Sequence, residues 1–193
     1  MSFTLSLYLL LTFIQPAASQ EELPQVQIST SLGNIIIELY PEKAPISSEN
    51  FLKYIGLKLS SAASFYRVVD NSNQPNNDVK IEVIQGGLRP ADSTVVFGPI
   101  AHETTQKTGV KHKNGTLSMA RNEPGSATSE FFICINDQPE LDFGGRRNPD
   151  GQGFSAFGQV IEGMDIVKAI QQQPSSNQYL VKPVQILSTK KIK

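Results

Sequence analysis

Short runs of apolar and β-branched residues, each cut off by turn formers, recur along this chain and leave little room for long helices. Val26-Gln27-Ile28-Ser29-Thr30 alternates apolar and polar side chains, Ser31-Leu32-Gly33-Asn34 supplies turn residues, and Ile35-Ile36-Ile37-Glu38-Leu39-Tyr40 resumes the pattern, which predicts a hairpin. The same reading makes strands of 65–69, 81–85, 116–120, 131–135, 154–160 and 183–188, with Phe131-Phe132-Ile133-Cys134-Ile135 apolar enough to be buried on both faces. Two helices interrupt them. Pro45 suits a first helical turn, with Phe51, Leu52, Ile55 and Leu59 following on one face, and Met164, Val167 and Ile170 lie three apart. Many short strands with two helices favour a barrel or sandwich. Asp70 to Asp78, rich in Asn, reads as a surface excursion, and Gly144 to Gly153 as a hairpin turn. Arg89 to Asn114 has poor periodicity; so long an irregular stretch is functional or packed as a large loop.

At 193 residues and 21.1 kDa one domain with one core is favoured. Lys plus Arg number 17 against 18 Asp plus Glu, so a net charge of -1 carries no bulk attraction to nucleic acid or anionic membrane. The lone Cys134 excludes an intramolecular disulfide, and with only His102 and His112 beside it the chain falls short of a structural zinc set. Cys134 is expected to be a buried thiol and the two histidines surface side chains. The first charged residue is Glu21; before it an apolar block, Phe3 to Ile14, precedes Pro16-Ala17-Ala18-Ser19. This order resembles a secretory signal peptide, too short for a membrane-spanning helix and ending in small residues. The expected organisation is a signal peptide at 1–19, a short linker at 20–24 and a folded domain at 25–190. An uncleaved interfacial or anchoring segment is the alternative.

Seven blocks, in order and at plausible spacing, resemble the cyclophilin-type peptidyl-prolyl isomerases. They are Gly33 to Leu39 with Ala44-Pro45 and Asn50-Phe51; Phe65-Tyr66-Arg67-Val68-Val69; Ile84-Gln85-Gly86-Gly87; Gly115 to Ala120; Ser129-Glu130-Phe131-Phe132-Ile133; Leu141-Asp142; and Phe157 to Met164. The resemblance implies a mainly β fold, a closed eight-stranded antiparallel barrel with two capping helices, acting as a monomer on Pro-containing polypeptide clients without cofactor or metal.

The chemistry can be rebuilt from physical requirements. Rotation about an X-Pro bond faces about 18–20 kcal/mol of amide resonance. A catalyst must seat the proline ring in an apolar pocket, fix the neighbouring carbonyls, and donate a hydrogen bond to the prolyl nitrogen as its lone pair leaves conjugation. A permanently charged, planar guanidinium suits the donor. By resemblance Arg67 is that donor and Gln85 orients it, while Phe65, Ala120, Arg121, Phe132 and Leu141 bind substrate. Taken alone, Arg67 reads as a surface or ion-pairing side chain, Gln85 as a satisfied strand residue and Phe132 as core.

Several positions depart from the commoner family pattern: Glu82-Val83 in place of a Phe-Met pair, Glu130 in place of Gln, Glu140 where an aromatic often stands, and Phe154 near the usual His. A carboxylate in the proline pocket would cost several kcal/mol unless paired or protonated. Glu82 therefore points away, pairs with Arg67, or leaves the pocket to be filled from elsewhere. Gly151-x-Gly153 lacks the residues of a phosphate loop, and Asn114-Gly115-Thr116 forms a glycosylation triplet at the mouth of a core strand. The expected function is isomerisation of X-Pro bonds during folding of exported proteins, in the periplasm given the bacterial-like loop 145–153, with secretion or N-terminal anchoring as alternatives. The rival is a proline-peptide-binding chaperone or interaction module with little turnover.

Overall fold

The computed structural model describes residues 22–56, 63–88 and 97–193; the expected signal peptide and the start of the linker lie outside them. Alternation produces the first hairpin as expected, β1 (Gln25–Thr30) against β2 (Gly33–Leu39), with Val26, Ile28, Ile35, Ile37 and Leu39 all turned to one buried side. The remaining strands are β3 (Ser64–Val69), β4 (Val83–Gly87), β5 (Thr116–Met119), β6 (Phe131–Cys134), β7 (Ser155–Glu162), β8 (Ser175–Ser176) and β9 (Tyr179–Lys191). All pairings are antiparallel, in the order β1-β2-β7-β5-β6-β4-β3-β9, and β9 returns to β1. Eight strands thus close a barrel, and the two-residue β8 forms a small hairpin with the start of β9.

A hydrogen-bonded wall admits helical side chains only at its open ends. Helices α1 (Pro45–Gly56) and α3 (Met164–Gln171) enter there, placing Phe51, Ile55, Val167 and Ile170 in the interior. Phe51 meets Phe131 edge-to-face at 5.3 Å and Phe157 at 5.5 Å, joining α1 to two walls of the barrel. Among the described residues no helix is long and apolar enough to cross a membrane.

The unassigned stretch is a packed loop where it is described. It carries the short α2 (Thr105–Thr108) and the buried Glu103, whose carboxylate accepts from the amides of Ile46 and Ser47 at 3.2 and 2.8 Å and from the Ser47 hydroxyl at 2.7 Å. It thereby caps the N-terminus of α1, where backbone donors lack helical partners. The excursion expected over Asp70 to Asp78 lies on the surface and runs on to Glu82, since β4 starts at Val83 rather than at 81; it is built on one buried side chain, as Gln74 bonds the Asp70 carbonyl and both backbone groups of Ile81. Residues 144–153 are not a β-hairpin. They form a loop between a 3₁₀ turn, Pro139–Leu141, and β7, closed by Gly144 N–H to the Gly151 carbonyl at 2.8 Å.

Candidate active site

Every strand of a closed barrel has an outward face, and on β3, β4 and β6 part of that face is apolar. Phe65, Val68, Ile84, Leu117, Phe131 and Ile133 point into the barrel, while Val69, Val83, Phe132 and Cys134 point out and join Ile81 and Leu141 in a second apolar cluster. Over this cluster opens a cavity of about 840 Å³, lined by Tyr66, Arg67, Gln85, Ala120, Arg121 and Phe132 among others. Its volume falls within the roughly 300–1,000 Å³ usual for ligand-binding clefts.

Arg67 and Gln85 sit opposite each other on paired strands. Arg67 Nη1 donates to Gln85 Oε1 at 2.7 Å, and its Nε and Nη2 donate to Gln178 Oε1 at 3.1 and 2.6 Å. Because a guanidinium only donates, the Gln85 oxygen must face it, so the Gln85 amide nitrogen donates onward to the Tyr66 hydroxyl at 2.7 Å, and Tyr66 donates to Glu130. Burial and then Glu130 push the Tyr66 phenol well above its ordinary range, so it remains a donor. Three of the five guanidinium N–H bonds are thus held by neutral acceptors, and among the described residues two remain for substrate.

The apolar floor is stiffened from behind. Phe132 meets Phe154 edge-to-face at 5.2 Å on one side and stacks on the His112 ring at 6.0 Å on the other. His112 Nδ1 bonds Asp142 at 2.8 Å and Nε2 bonds Ser118 Oγ at 3.0 Å. This has the connectivity of a Ser-His-Asp triad, but Ser118, paired across the sheet with Phe132, is 0% exposed, where no scissile carbonyl can reach it. It is a support. Burial pushes His112 below its ordinary value, and although burial raises Asp142, its bonds from His112 outweigh that and hold it low. The neighbouring Cys134 thiol is pushed far up by burial and is no nucleophile, as the sequence predicts.

A family model described as cyclophilin type peptidyl-prolyl cis-trans isomerase/CLD matches residues 25–191. The chain belongs to that family. It is an enzyme of the cyclophilin type, acting on X-Pro peptide bonds. It is 38% identical over 154 residues to a peptidyl-prolyl cis-trans isomerase of Acinetobacter baylyi, covering 78% of this chain and 73% of that one. It is 32% identical to peptidyl-prolyl cis-trans isomerase A of Dickeya dadantii, covering 95% and 92%. The crystal structure of a Cryptosporidium parvum cyclophilin superposes with a TM-score of 0.70 at 21% identity, over 89% of this chain and 98% of that one, which shows the shared fold.

Within this cyclophilin the predicted site residues Arg67, Gln85, Ala120, Arg121, Phe132 and Leu141 all line one cavity; Phe65 does not. Phe65 is 0% exposed inside the barrel against Phe131, because the register of β3 shifts between Phe65 and Arg67 against both β4 and β9. That bulge turns Tyr66 and Arg67 to the cavity together. Arg121 lies flat: its side chain is 1% exposed, pairs with Asp150 at 2.8 and 3.0 Å, donates to the Gly153 carbonyl, and covers the Phe154 ring at 5.1 Å. A Cβ on Gly153 would come within 2.5 Å of the Leu141 carbonyl, so glycine lets this loop press against the pocket floor.

Of the three anomalous carboxylates Glu130 lines the cavity, while Glu82 and Glu140 do not. Glu82 alternates away from the lining residues Ile81 and Val83 and accepts from Asn136 Nδ2 at 2.8 Å, so of the three outcomes it takes the first. Glu140 pairs with Arg146 at 3.1 Å. The reading of the histidines as surface groups is corrected: His112 is 1% exposed, and His102, half-buried, bonds Ser155 and the Gln152 carbonyl. Sequence reasoning gave no role to Tyr66, Gln178 or Arg147, each of which reaches the site by a bulge, a turn or a loop.

Proposed function

We propose that this cyclophilin isomerises X-Pro bonds in exported polypeptides as they fold, as a monomer in the periplasm after removal of residues 1–19. The observation that carries the catalytic part is Arg67: a guanidinium locked on Gln85 and Gln178, with two N–H bonds open above the apolar floor of Phe132 and Leu141. A proline ring seated on that floor presents its nitrogen to Arg67. As the amide twists, the nitrogen lone pair leaves conjugation and gains an acceptor strength that the ground state lacks, so the hydrogen bond forms in the transition state and lowers the barrier. Ala120, just beyond β5, has its N–H bonded to the Glu130 carbonyl at 2.9 Å, so what it offers the substrate backbone is its own carbonyl, an acceptor for a substrate N–H.

Export is supported by the order of the N-terminal residues and by bacterial relatives. N-terminal sequencing of protein from the periplasmic fraction should start at residue 19 or 20; an intact Met1 in the cytoplasmic fraction refutes it. Cis-trans exchange of an Ala-Pro peptide tests the rest. Arg67→Ala should lower kcat/KM by about 10²-fold, the scale of losing one transition-state donor. Wild type without exchange refutes the enzyme reading, and peptide binding without exchange would make the groove a binding module.

A further inference from the structure

Charge in the groove is unevenly compensated. Among the described residues its ionisable lining consists of Tyr66, Arg67, Arg121, Glu130, Arg147 and Tyr179. Arg121 is neutralised by its two-point contact with Asp150, whereas Glu130 takes its bond from the neutral Tyr66 hydroxyl and keeps its charge, so the two remaining arginines leave one positive charge in excess. Arg67 and Arg147 hydrogen-bond only neutral oxygens: Arg67 those of Gln85 and Gln178, and Arg147 Nη1 the Val79 carbonyl at 2.7 Å. Among the described residues neither has an ion-pair partner. They also sense each other, since burial and then the Arg67 charge push Arg147 below its ordinary range.

Arg147 is held rather than free in solvent. It rises from the 142–154 loop and is fastened to the 70–82 excursion through Val79, so two chain segments outside the barrel combine to set one half-buried guanidinium at the rim of the groove. Two like charges facing one cavity repel, and an anion between them relieves the repulsion while taking charge-assisted hydrogen bonds from both. A carboxamide of the same shape relieves nothing.

We propose that Arg147 is a specificity-determining residue that, beside Arg67, forms a subsite for the carboxylate of an Asp or Glu within two residues of the isomerised proline. This rests on the groove being the polypeptide site. The substrate class is thereby narrowed to acidic X-Pro segments.

The full chain is assayed with peptide pairs that differ only as Glu or Gln at each of the two positions before and after one proline. At one or more positions the Glu peptide should exceed its Gln partner in kcat/KM by about tenfold at low salt, with the ratio shrinking as salt is added. Arg147→Gln should bring that ratio close to one, and Arg147→Lys should restore part of it. Equal values at all four positions in wild type overturn the proposal without any variant, as does a preference that survives Arg147→Gln. Should no peptide show exchange, the isomerase reading fails separately, and Kd values for the same pairs still decide: a tenfold Glu preference supports the subsite, while equal Kd values or no binding overturn it.

Discussion

Gln178 occupies a backbone conformation that its side chain resists. Its φ is +72°, and that of Asn177 before it is +48°, because the two-residue turn between Ser176 and Tyr179 needs positive φ at both positions. A residue with a Cβ is held there at about 1–2 kcal/mol. What the position gains is the side chain: Oε1 takes two hydrogen bonds from Arg67, and Nε2 donates to the Asn73 carbonyl at 3.1 Å. Gln178→Gly would create Asn-Gly, the preferred pair for such a turn, so the relieved strain should offset the lost hydrogen bonds and leave stability within about 1 kcal/mol of wild type. Arg67 would keep only its bond to Gln85, and kcat/KM toward X-Pro peptides should fall about tenfold. Thermal unfolding and peptide exchange on one preparation check this. Unchanged exchange would mean that Gln178 does not position Arg67.

At the scale of elements, the legible parts are those governed by local pattern. Alternation in β1, β2 and β6 marks which side chains face inward, and all eight predicted strand segments are strands. Alternation even answers the Glu82 question, since Ile81, Val83 and Gln85 share the cavity face and Glu82 falls on the other. It fails where a strand is irregular. Phe65 and Arg67 are two apart and a regular strand would turn both outward, but the bulge sends Phe65 inward and adds Tyr66 to the site. No residue in Phe65-Tyr66-Arg67 signals it, because it arises where β3 must pair at once with β4 and β9. The burial of His112 is illegible in the sequence for a related reason. Its stretch has no period, and what buries it is Asp142, 30 residues on and backed by Ser118 and Phe132. Glu103 likewise serves a helix 56 residues earlier. Pairings over such distances are made by the closed barrel and leave no mark in neighbouring residues.

At the scale of the molecule, closing the sheet frees its outer face for a groove, and it also seals one titratable group between the wall and that groove. His112 is 1% exposed, with Asp142 and Lys111 the charged groups bearing on it. Burial holds its imidazole below the ordinary value of 6.5, against the raising pull of Asp142. In the unfolded chain it protonates near 6.5, in the folded chain only at lower pH, so between the two values unfolding takes up a proton. Stability is therefore fully present above about 6.5 and is lost as pH falls below it, with a limiting slope of about 1.4 kcal/mol per pH unit for one proton. His102, lowered chiefly by burial, acts in the same direction, and the larger exposure of its ring makes its share smaller. In a chain of this size about 1 kcal/mol corresponds to 2–4 °C, so Tm should drop by a few degrees between pH 7.5 and 5.5, above the range where carboxylates begin to titrate. His112→Gln keeps a donor and an acceptor beside Asp142 and Ser118 without the titration, and should flatten most of that slope. A wild-type Tm independent of pH over this window would show that His112 is protonated as readily inside the fold as outside it.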